Sequence, residues 1–527
     1  MIDARMDNTP LPTDAPPPTG NLPLRVAMVA LVSATIGWLA AAKAGLGFVP
    51  GFVIGTAMFG IGIFSTMKLA GAPAGLWVTF CLKFFSVTAY KLVTVVLVSF
   101  LMKDCGVQDA HAQLMFMLWG LFMSVSTVLS GALADALGLR RTLLFGVTLC
   151  LLTRLVMVSS GNAWVVMVCG LIPLAVGEAL CTPVLVAATR KFTTASQRSV
   201  AFSVFYAILN LGFMVGYFIY DGVQKSVPSG GDTLAFAGYD FSPRRVLLGI
   251  SVGVELLALP FILMLGERSR GADSGAPVVR LNLREAARET GRLFLCLVRH
   301  PGFRRLLLFL MMIGILKMVF SIMDGVLPTF VERELGPEGK ARTGRFNAVN
   351  SILILMLAPL VGMLTRKASA YSMVILGGFI TAFSFVFLAL PASSFQGLAN
   401  GWAGDWVVRG YLELKGDVSP YFLMIVLWQI GFSIGEAFYS PRVYEYAVSI
   451  APKGQEASYA SLSAVPLLMG KLATGAAFSW LLTRYCPAEG PRDSSTMWTI
   501  VGCLVLIAPL GLLLFKPFIR VKEEGRE

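Results

Sequence analysis

The chain has 527 residues, of which 56% are apolar and only 14% are charged. That charged share is about half of what soluble proteins carry, and mean hydropathy is +0.74. A soluble protein of this length would need a charged surface around each of several domains. The composition therefore excludes a soluble enzyme, a secreted disulfide-bonded protein and a disordered protein. It predicts an all-α polytopic membrane protein in contact with the lipid bilayer.

The excess of basic residues fits the loops of a membrane protein better than a nucleic-acid surface. Lys and Arg number 43 against 30 Asp and Glu, which gives a net charge of +13. No interleaving of basic and aromatic residues typical of nucleic-acid binding is present, so no nucleic-acid partner is expected. The chain has two histidines, and none of its eight cysteines forms a C-x-x-C pair. We therefore expect no metal, no cofactor and no membrane enzyme.

The amino-terminal part divides into a polar tail and an apolar hairpin. Residues 1–23 are rich in Pro and lack the basic start and cleavage pattern of a signal peptide, which predicts a disordered cytoplasmic tail. Residues 24–70 are apolar and carry a stripe of glycines, which lets helices approach closely in lipid. This pattern predicts a peripheral helical hairpin, with a single tilted span or a re-entrant segment as the alternatives.

Apolar segments follow one another along the rest of the chain, each near the ~20 residues that cross a bilayer. The sequence predicts about fourteen transmembrane helices, two in the hairpin and twelve in the core, at about 24–42, 46–67, 78–102, 113–134, 141–159, 162–187, 199–220, 246–265, 303–331, 345–365, 370–390, 420–440, 456–484 and 497–517.

A basic linker divides the predicted core into two six-helix bundles, at 77–265 and 303–518. In the linker, 266–302, Leu and Phe alternate with Arg at helical spacing, which predicts an amphipathic helix on the inner leaflet. A solvated linker helix is the alternative. Basic residues concentrate in alternate loops and in the tail at 519–527, so both termini are predicted to be cytoplasmic, in a plasma (inner) membrane.

The loop between the second and third core helices carries a glycine-rich motif with one acid and two basic residues. Its members are Gly131, Asp135, Gly138, Arg140 and Arg141. The motif resembles the G-x-L-a-D-r-x-G-r-r loop of the major facilitator superfamily. The glycines permit a tight turn, and Asp135 can form a conformational latch with a helix amino terminus and a basic partner.

A weaker second copy, 362–367, lies between core helices eight and nine and has Arg366 where the first copy has Asp135. Internal repeats of this kind are typical of such transporters. The resemblance implies the major facilitator fold, in which two six-helix bundles alternate access to a central site.

Two further segments are similar to signatures of the proton-dependent oligopeptide transporter family. Residues 202–212, which contain Tyr206 and Asn210, resemble F-Y-x-x-I-N-x-G in that family. Residues 435–441, which contain Glu436, resemble G-E-x-x-x-S-P, and Asn347 and Pro359 in the eighth core helix also fit. The resemblance spans roughly residues 78–517 and implies transport of small peptides.

The chain departs from that family at three places. The first core helix lacks both acids of the E-x-x-E-R-F motif, and Lys83 stands in place of its Arg. Thr182 precedes Pro183 where the family has Lys, and the extra helices lie at the amino terminus rather than between the bundles. The proton path and the peptide specificity of the family therefore do not carry over directly.

Ionisable residues inside apolar helices are costly unless they face a cavity or a partner. In the superfamily that the chain resembles, helices one, four, seven and ten line the cavity, and most of these residues lie on them. The predicted substrate-binding residues are Lys83, Tyr90, Lys91, Tyr206, Asn210, Lys317, Glu436 and Lys471, and the predicted proton-coupling residues are Glu436, Glu178 and Asp324. Snorkelling or structural pairing is the alternative for the charged residues among them, and a structural role is favoured for Arg154 and Glu255.

The sequence therefore predicts a secondary transporter that takes up a small zwitterionic or anionic solute, such as a di- or tripeptide or an amino-acid derivative, together with protons. A buried carboxyl such as that of Glu436 can switch between neutral and charged forms, and interior lysines would attract a carboxylate on the solute. The alternatives are a proton-driven exporter of amphipathic compounds and a non-transporting receptor. We expect a monomer.

Overall fold

The computed structural model describes residues 65–225, 233–265, 301–449 and 480–519, apart from short gaps at 237–238, 341, 417–418 and 488. It also describes residues 35, 60 and 62–63. Most of the predicted amino-terminal hairpin, the linker up to residue 300 and most of the eleventh predicted core helix lie outside the described residues. The count of fourteen helices therefore stays a prediction.

The first half of the described chain is a run of six helices. These are α1 (Ala74–Lys103), α2 (Asp109–Leu137), α3 (Leu139–Ser159), α4 (Ile172–Lys191), α5 (Ala195–Lys225) and α6 (Pro243–Leu256). A short helix, Ala163–Val165, and a π-helical turn, Val166–Leu171, lead into α4, and Ala258–Met264 extends α6. Asn162 caps the start of the α4 segment by accepting from the backbone N–H groups of Trp164 and Val165.

The second half contains helices α7 (Pro301–Ser321), α8 (Thr343–Leu364), α9 (Ala370–Ser384), α10 (Tyr421–Ser449), α11 (480–485) and α12 (Ser494–Leu514). A π-helical turn, Ile322–Val326, and the helix Leu327–Lys340 continue α7. Val386–Ala389 extends α9, short helical turns occupy Ala392–Tyr411, and Lys516–Ile519 follows α12. These bounds agree with the predicted core helices to within a few residues at most ends, although α10 continues well beyond its predicted end at 440.

One element was not predicted. Strands β1 (Leu234–Phe236) and β2 (Tyr239–Phe241) form an antiparallel hairpin between α5 and α6, with Leu234 opposite Phe241. The fold is otherwise helical in the described residues. Nine of the described helices are long and apolar enough to cross a membrane by length and composition, and two shorter apolar helices lie at Leu114–Thr127 and Leu307–Phe320. The prediction of a polytopic helical membrane protein is confirmed.

Each half has its own apolar core. In the first half, α1 packs on α4, α5 and α6, and α3 packs on α4 and α6. In the second half, α9 packs on α10 and α12, α8 packs on α10, and α7 packs on α12. Contact between the halves runs mainly through α5, which packs against α8 and α10, and α4 also contacts α10. Residues on α5 and α10 therefore lie where polar groups of the two halves meet.

Candidate functional site

A buried carboxylate on α10 joins the two halves of the molecule. Glu436 is fully buried, and its Oε1 atom accepts a hydrogen bond from the Tyr206 hydroxyl on α5. Its Oε2 atom accepts from the Asn350 side-chain amide on α8 at 2.7 Å. Because Tyr206 belongs to the first half and Glu436 to the second, this bond crosses the contact between them. A hydrogen bond to a charged acceptor is among the stronger ones in a protein.

Lys317 on α7 lies beside this carboxylate. Its ammonium donates to the Ser440 hydroxyl at 2.8 Å and interacts electrostatically with Glu436. The same ammonium lies over three aromatic rings, at 4.6 Å from the centroid of Phe320, 5.3 Å from Tyr439 and 5.7 Å from Tyr206. Aromatic faces attract cations, so this pocket suits a buried ammonium. The structure thus brings Tyr206, Lys317 and Glu436 together.

The position of Glu436 follows from the glycine before it. A Cβ atom on Gly435 would lie 2.6 Å from the carbonyl oxygen of Gly377 and 2.3 Å from the Thr381 hydroxyl on α9. Only a glycine allows α9 and α10 to approach this closely. The close approach fixes one face of α10 against α9. Glu436, the next residue, faces α5 and α8, where it contacts Tyr206 and Asn350.

The same arrangement occurs in the first half. Residues 177–183 on α4 and 435–441 on α10 both read Gly-Glu-Ala-x-x-(Thr/Ser)-Pro. A Cβ atom on Gly177 would lie 2.9 Å from the carbonyl oxygen of Gly146 on α3, just as Gly435 meets Gly377 on α9. Helices α4 and α10 are the fourth helices of their halves, so the two segments are copies within an internal repeat. This repeat was visible in the sequence but was missed there.

The repeat extends to a lysine on the first helix of each half. Lys83 on α1 donates to the Thr182 hydroxyl at 3.5 Å, as Lys317 on α7 donates to Ser440. Lys83 also interacts electrostatically with Glu178, the glutamate of its own copy. Its ammonium lies 5.1 Å from the ring centroid of Phe205, which precedes Tyr206 on α5. Each half therefore contains one unit made of a lysine, a hydroxyl and a glutamate.

The two glutamates differ in their remaining partners. Glu178 pairs with the Arg154 guanidinium on α3, which also pairs with Glu255 on α6 at 2.5 Å. All three side chains are buried. The predicted structural pairing of Arg154 and Glu255 matches this geometry, but Glu178, predicted as a proton-coupling residue, belongs to the same cluster. A buried charge is tolerated when it is paired and hydrogen-bonded.

The other predicted binding residues of the first half lie along α1 and α5. The Lys91 ammonium lies 4.4 Å from the ring centroid of Tyr217 and 5.1 Å from that of Phe213. Tyr90 stacks on Trp119 of α2, with ring centroids 6.0 Å apart. Asn210 is buried, and its amide donates to the Tyr206 carbonyl oxygen at 3.0 Å. Lys91 thus lies among aromatic rings, as Lys83 and Lys317 do.

The predicted latch lies at the junction of α2 and α3. Gly138 has a φ of 85°, which side chains rarely adopt, and it precedes the first residue of α3. Arg140 is half-buried and Arg141 is exposed at the start of α3. Gly131 and Asp135 lie in the last two turns of α2, where the structure describes the helix but not the side chains. The side chain of Asp324 is not described either. Lys471 lies outside the described residues.

An arginine that the sequence reasoning missed closes one end of the contact between the halves. Arg442 on α10 is buried and donates to the Ser199 hydroxyl on α5 and, at 2.6 Å, to the Thr365 hydroxyl after α8. It also pairs with Glu445 at 2.5 Å. The Ser199 hydroxyl in turn donates to the Gly362 carbonyl oxygen at 3.3 Å. We call Ser199, Gly362, Thr365, Arg442 and Glu445 the closure cluster. It lies on the side predicted to be cytoplasmic.

Asn350 is the second residue that was missed. The sequence comparison singled out Asn347 on the same helix, but Asn350 is the one that donates to Glu436. The side-chain oxygen of Asn347 is buried without a hydrogen-bond partner among the described residues. Because Asn347 and Asn350 are three residues apart, both lie on similar sides of α8, so helical spacing could have indicated Asn350 as well.

The chain matches the family model of the Major Facilitator Superfamily over residues 79–408. This match covers more than half of the 527 residues. The chain belongs to the major facilitator superfamily. It is therefore an integral membrane transporter, as its motifs and composition predicted. No curated protein sequence matches this superfamily member at a significant level.

Solved structures of peptide transporters share its fold. A structure described as concerning substrate recognition in proton dependent oligopeptide transporters aligns with a TM-score of 0.56 and 16% identity, covering 85% of this chain and 98% of that one. A POT family transporter in complex with 5-aminolevulinic acid aligns with a TM-score of 0.59 and 16% identity, covering 85% of this chain and 97% of that one. A POT family transporter in complex with a thioalcohol conjugated peptide has the same TM-score of 0.59, the same identity of 16%, and the same coverage of 85% of this chain and 97% of that one. At this identity the likeness shows the fold. The resemblance to the oligopeptide transporter family that the motifs indicated is thus matched at the level of structure.

The geometry defines what the site can do chemically. Glu436 is a carboxyl group that can bind and release a proton, and its acceptor atoms hold donors from two other helices. Lys83 and Lys317 place ammonium groups on the first helix of each half, beside aromatic faces. Among the described residues, no group of three or more His, Cys, Asp or Glu side chains could hold a metal ion.

Proposed function

We propose that this superfamily member is a proton-coupled secondary transporter of small zwitterionic or anionic solutes, such as di- and tripeptides or amino-acid derivatives. It takes up the solute by alternating access, in which two six-helix bundles, 77–265 and 303–518, move about a central site. It works as a monomer in a plasma (inner) membrane with both termini in the cytoplasm. It catalyses no chemical reaction.

The observation that carries this proposal is the hydrogen bond between Tyr206 and Glu436. When Glu436 is ionised, its two oxygens accept from Tyr206 and Asn350, and the bond to Tyr206 holds α5 against α10. A protonated carboxyl accepts less well, because it has lost its charge and one oxygen now carries hydrogen. Protonation of Glu436 therefore weakens a contact between the halves, which links proton binding to their movement.

The charges around the site fit a solute with a carboxylate and an amine. Lys83, Lys91 and Lys317 supply ammonium groups that attract a carboxylate, and Glu436 supplies the opposite charge for an amine. The proposed binding set is completed by Tyr90, Tyr206, Asn210 and Lys471. Glu178 and Asp324 are proposed as further proton-coupling carboxyls beside Glu436. Structural neighbours bound to 5-aminolevulinic acid and to a conjugated peptide support solutes of this size and charge.

The latch supports the same cycle. Gly131, Asp135, Gly138, Arg140 and Arg141 connect α2 with α3 on the side predicted to be cytoplasmic. We propose that this segment keeps one contact in one state and breaks it in the other.

Uptake into proteoliposomes tests the proposal. Labelled di- and tripeptides are offered with and without an inward proton gradient, to the wild type and to Glu436→Gln. We expect the gradient to drive accumulation in the wild type. The glutamine keeps the shape and hydrogen-bonding atoms of Glu436 but cannot titrate, so Glu436→Gln should lose accumulation and keep some solute counterflow. Glu413→Gln is the matched control, because Glu413 is an exposed carboxyl in the loop before α10.

Two results would contradict the proposal. Undiminished gradient-driven accumulation in Glu436→Gln would show that Glu436 is structural. Efflux of amphipathic compounds from inverted vesicles, with no uptake of any peptide, would instead support the exporter.

A further inference from the structure

The function proposed above uses Lys83 of the first-half unit to attract a carboxylate and includes Glu178 among its carboxyls, but it gives no role to the pairing of Glu178 with Arg154 and Glu255. The geometry of the first-half unit repeats that of the Lys317–Ser440–Glu436 unit. Lys83 donates to Thr182, and Glu178 lies one helical turn before that threonine on the same face of α4. The differences lie in the partners of Glu178, which are a guanidinium and, through it, a second carboxylate.

The charges of this unit balance when every group is ionised. We define the amino-terminal cluster as Lys83, Arg154, Glu178, Glu255 and the hydroxyl of Thr182. It contains two cations and two carboxylates, so its net charge is zero. The other titratable groups that face it are the thiols of Cys150 on α3 and Cys181 on α4. Helices α1, α3, α4 and α6 all contribute to it.

The two cations are held in different ways. Arg154 is fully buried and bonded to both carboxylates, so it stays in place as long as α3, α4 and α6 stay packed. Lys83 forms no ion pair within 4.0 Å among the described residues, and its one hydrogen bond, to Thr182, is 3.5 Å long. Its ammonium also lies over Phe205 of α5, on the side of α1 that faces the second half through Tyr444. Lys83 is therefore the cation that a solute can draw away.

We propose that the amino-terminal cluster is a second proton-binding site, in which Glu178 and Glu255 take up one shared proton when a solute carboxylate neutralises Lys83. The proton comes from water and forms an O–H bond on one of the two carboxylates. Arg154 keeps its hydrogen bonds to both. The cluster then holds one guanidinium, one carboxylate and one carboxylic acid, and Lys83 pairs with the solute, so the charge is again balanced.

The physical reason is the cost of a buried net charge. Once Lys83 is neutralised by another anion, two buried carboxylates face one buried guanidinium. An uncompensated buried charge costs several kcal/mol, and a carboxylate can avoid this cost by binding a proton. Binding of the solute carboxylate and of the proton therefore favour each other, since linkage between two ligands is reciprocal.

A variant tests the site without any solute. Lys83→Met removes the ammonium permanently and keeps a side chain of similar length. We expect the infrared spectrum of the purified Lys83→Met protein at neutral pH to gain the carbonyl band of one protonated carboxyl, relative to wild type. The band should disappear in Lys83→Met/Glu178→Gln and should persist in Lys83→Met/Glu436→Gln. Lys103→Met is the control, because Lys103 is an exposed lysine at the end of the same helix, and it should gain no such band.

An unchanged carboxyl region in Lys83→Met would overturn the proposal, provided that the variant elutes as folded protein. Loss of the new band with Glu436→Gln, but not with Glu178→Gln, would also overturn it, because the proton would then belong to the central site. Neither result depends on which solute is transported.

A second measurement uses the solute class of the proposed function and rests on it. Dialanine and alanyl-alaninamide differ only in the carboxylate. We expect calorimetry in buffers of different ionisation enthalpy to show proton uptake on binding of dialanine, and no uptake with the amide. Glu178→Gln should lose this uptake and still bind. Failure of both peptides to bind would count against the peptide proposal alone, whereas binding of dialanine without proton uptake would count against the second proton site.

Discussion

The two copies of the Gly-Glu-Ala-x-x-(Thr/Ser)-Pro segment place the same residues in two different surroundings. On α10, Glu436 accepts from Tyr206, which belongs to the other half of the molecule. On α4, Glu178 pairs with Arg154, which belongs to its own half. In both copies a lysine on the first helix of the half donates to the hydroxyl before the proline.

This difference shows what a proton can do at each place. A proton on Glu436 changes a contact that crosses between the halves, and so changes how strongly they hold together. A proton on the Glu178–Glu255 pair changes the charge within one half and leaves the packing of its helices on one another. The copy on α4 therefore suits binding of a proton together with the solute, and the copy on α10 suits control of the movement of the halves.

The largest effect should come from the arginine inside the first half. Arg154→Met leaves two buried carboxylates without their guanidinium, and breaking such a pair costs about 3–5 kcal/mol. We expect a large fall in the melting temperature of the detergent-solubilised protein, with partial recovery in Arg154→Met/Glu255→Gln. Arg409→Met is the control, because the Arg409–Asp405 pair is partly exposed and such pairs contribute little. An unchanged melting temperature in Arg154→Met would mean that the cluster does not hold this half together.

The second-largest effect should come from removing the hydrogen bond between Tyr206 and Glu436, which crosses between the halves. Tyr206→Phe removes the donor to Glu436, and a hydrogen bond to a charged group contributes about 1.5–3 kcal/mol. We expect the initial rate of gradient-driven uptake to fall about tenfold or more, because the halves then separate whether or not Glu436 carries a proton. A change of about 1.4 kcal/mol in that equilibrium corresponds to about tenfold. Tyr371→Phe is matched to it, because the Tyr371 hydroxyl donates at 2.6 Å to the Leu512 carbonyl oxygen within the second half. That variant should lower the melting temperature and spare the rate. Equal losses of uptake rate in Tyr206→Phe and Tyr371→Phe would show that the bond between the halves matters no more for transport than a bond within one half.

The closure cluster also crosses between the halves, and we expect a smaller effect there. Arg442→Gln removes the charge that binds Ser199 and Thr365. The end closed by this cluster should then open more often, which is measured as severalfold faster maleimide labelling of Ser203→Cys. Ser203 is buried here, against Gly362 of α8. Arg409→Gln should leave the labelling unchanged. Slower labelling in Arg442→Gln would show that the arginine does not hold this end closed.

The smallest effect should be found at a thiol that reports on packing within the first half. Burial and the neighbouring Asp104 raise the pKa of Cys105 to about 11. The reactive thiolate is therefore scarce at neutral pH, and labelling should accelerate about tenfold per pH unit until the pH nears the pKa. Asp104 pairs with Arg244 of α6 in the same half. In a protein that keeps only Cys105, transported solute should leave this profile unchanged, whereas Asp104→Asn should shift it to lower pH. A solute-dependent shift would show that the half rearranges internally.

The sequence by itself determined the class of the molecule and most of its helices. Long apolar segments must cross a bilayer as helices, because the backbone has no other way to satisfy its hydrogen bonds there. The ends of α3 and α8 could therefore be predicted closely from composition alone. The glycine-rich loop before α3 identified the superfamily, since its spacing is specific. The sequence also indicated Lys83, Lys317 and Glu436, because a charge inside an apolar helix needs an explanation.

Only the tertiary structure decided which of those charges meet. Tyr206 and Glu436 are 230 residues apart, and Arg154 and Glu255 are 101 apart. Helical spacing says which face of a helix a residue occupies, but it does not say which other helix covers that face. The glutamates of the two copies look alike in sequence, and their different partners follow from whether the facing helix belongs to the same half or to the other. Packing of helices remote in the chain sets that choice, so periodicity within a single helix could not reveal it.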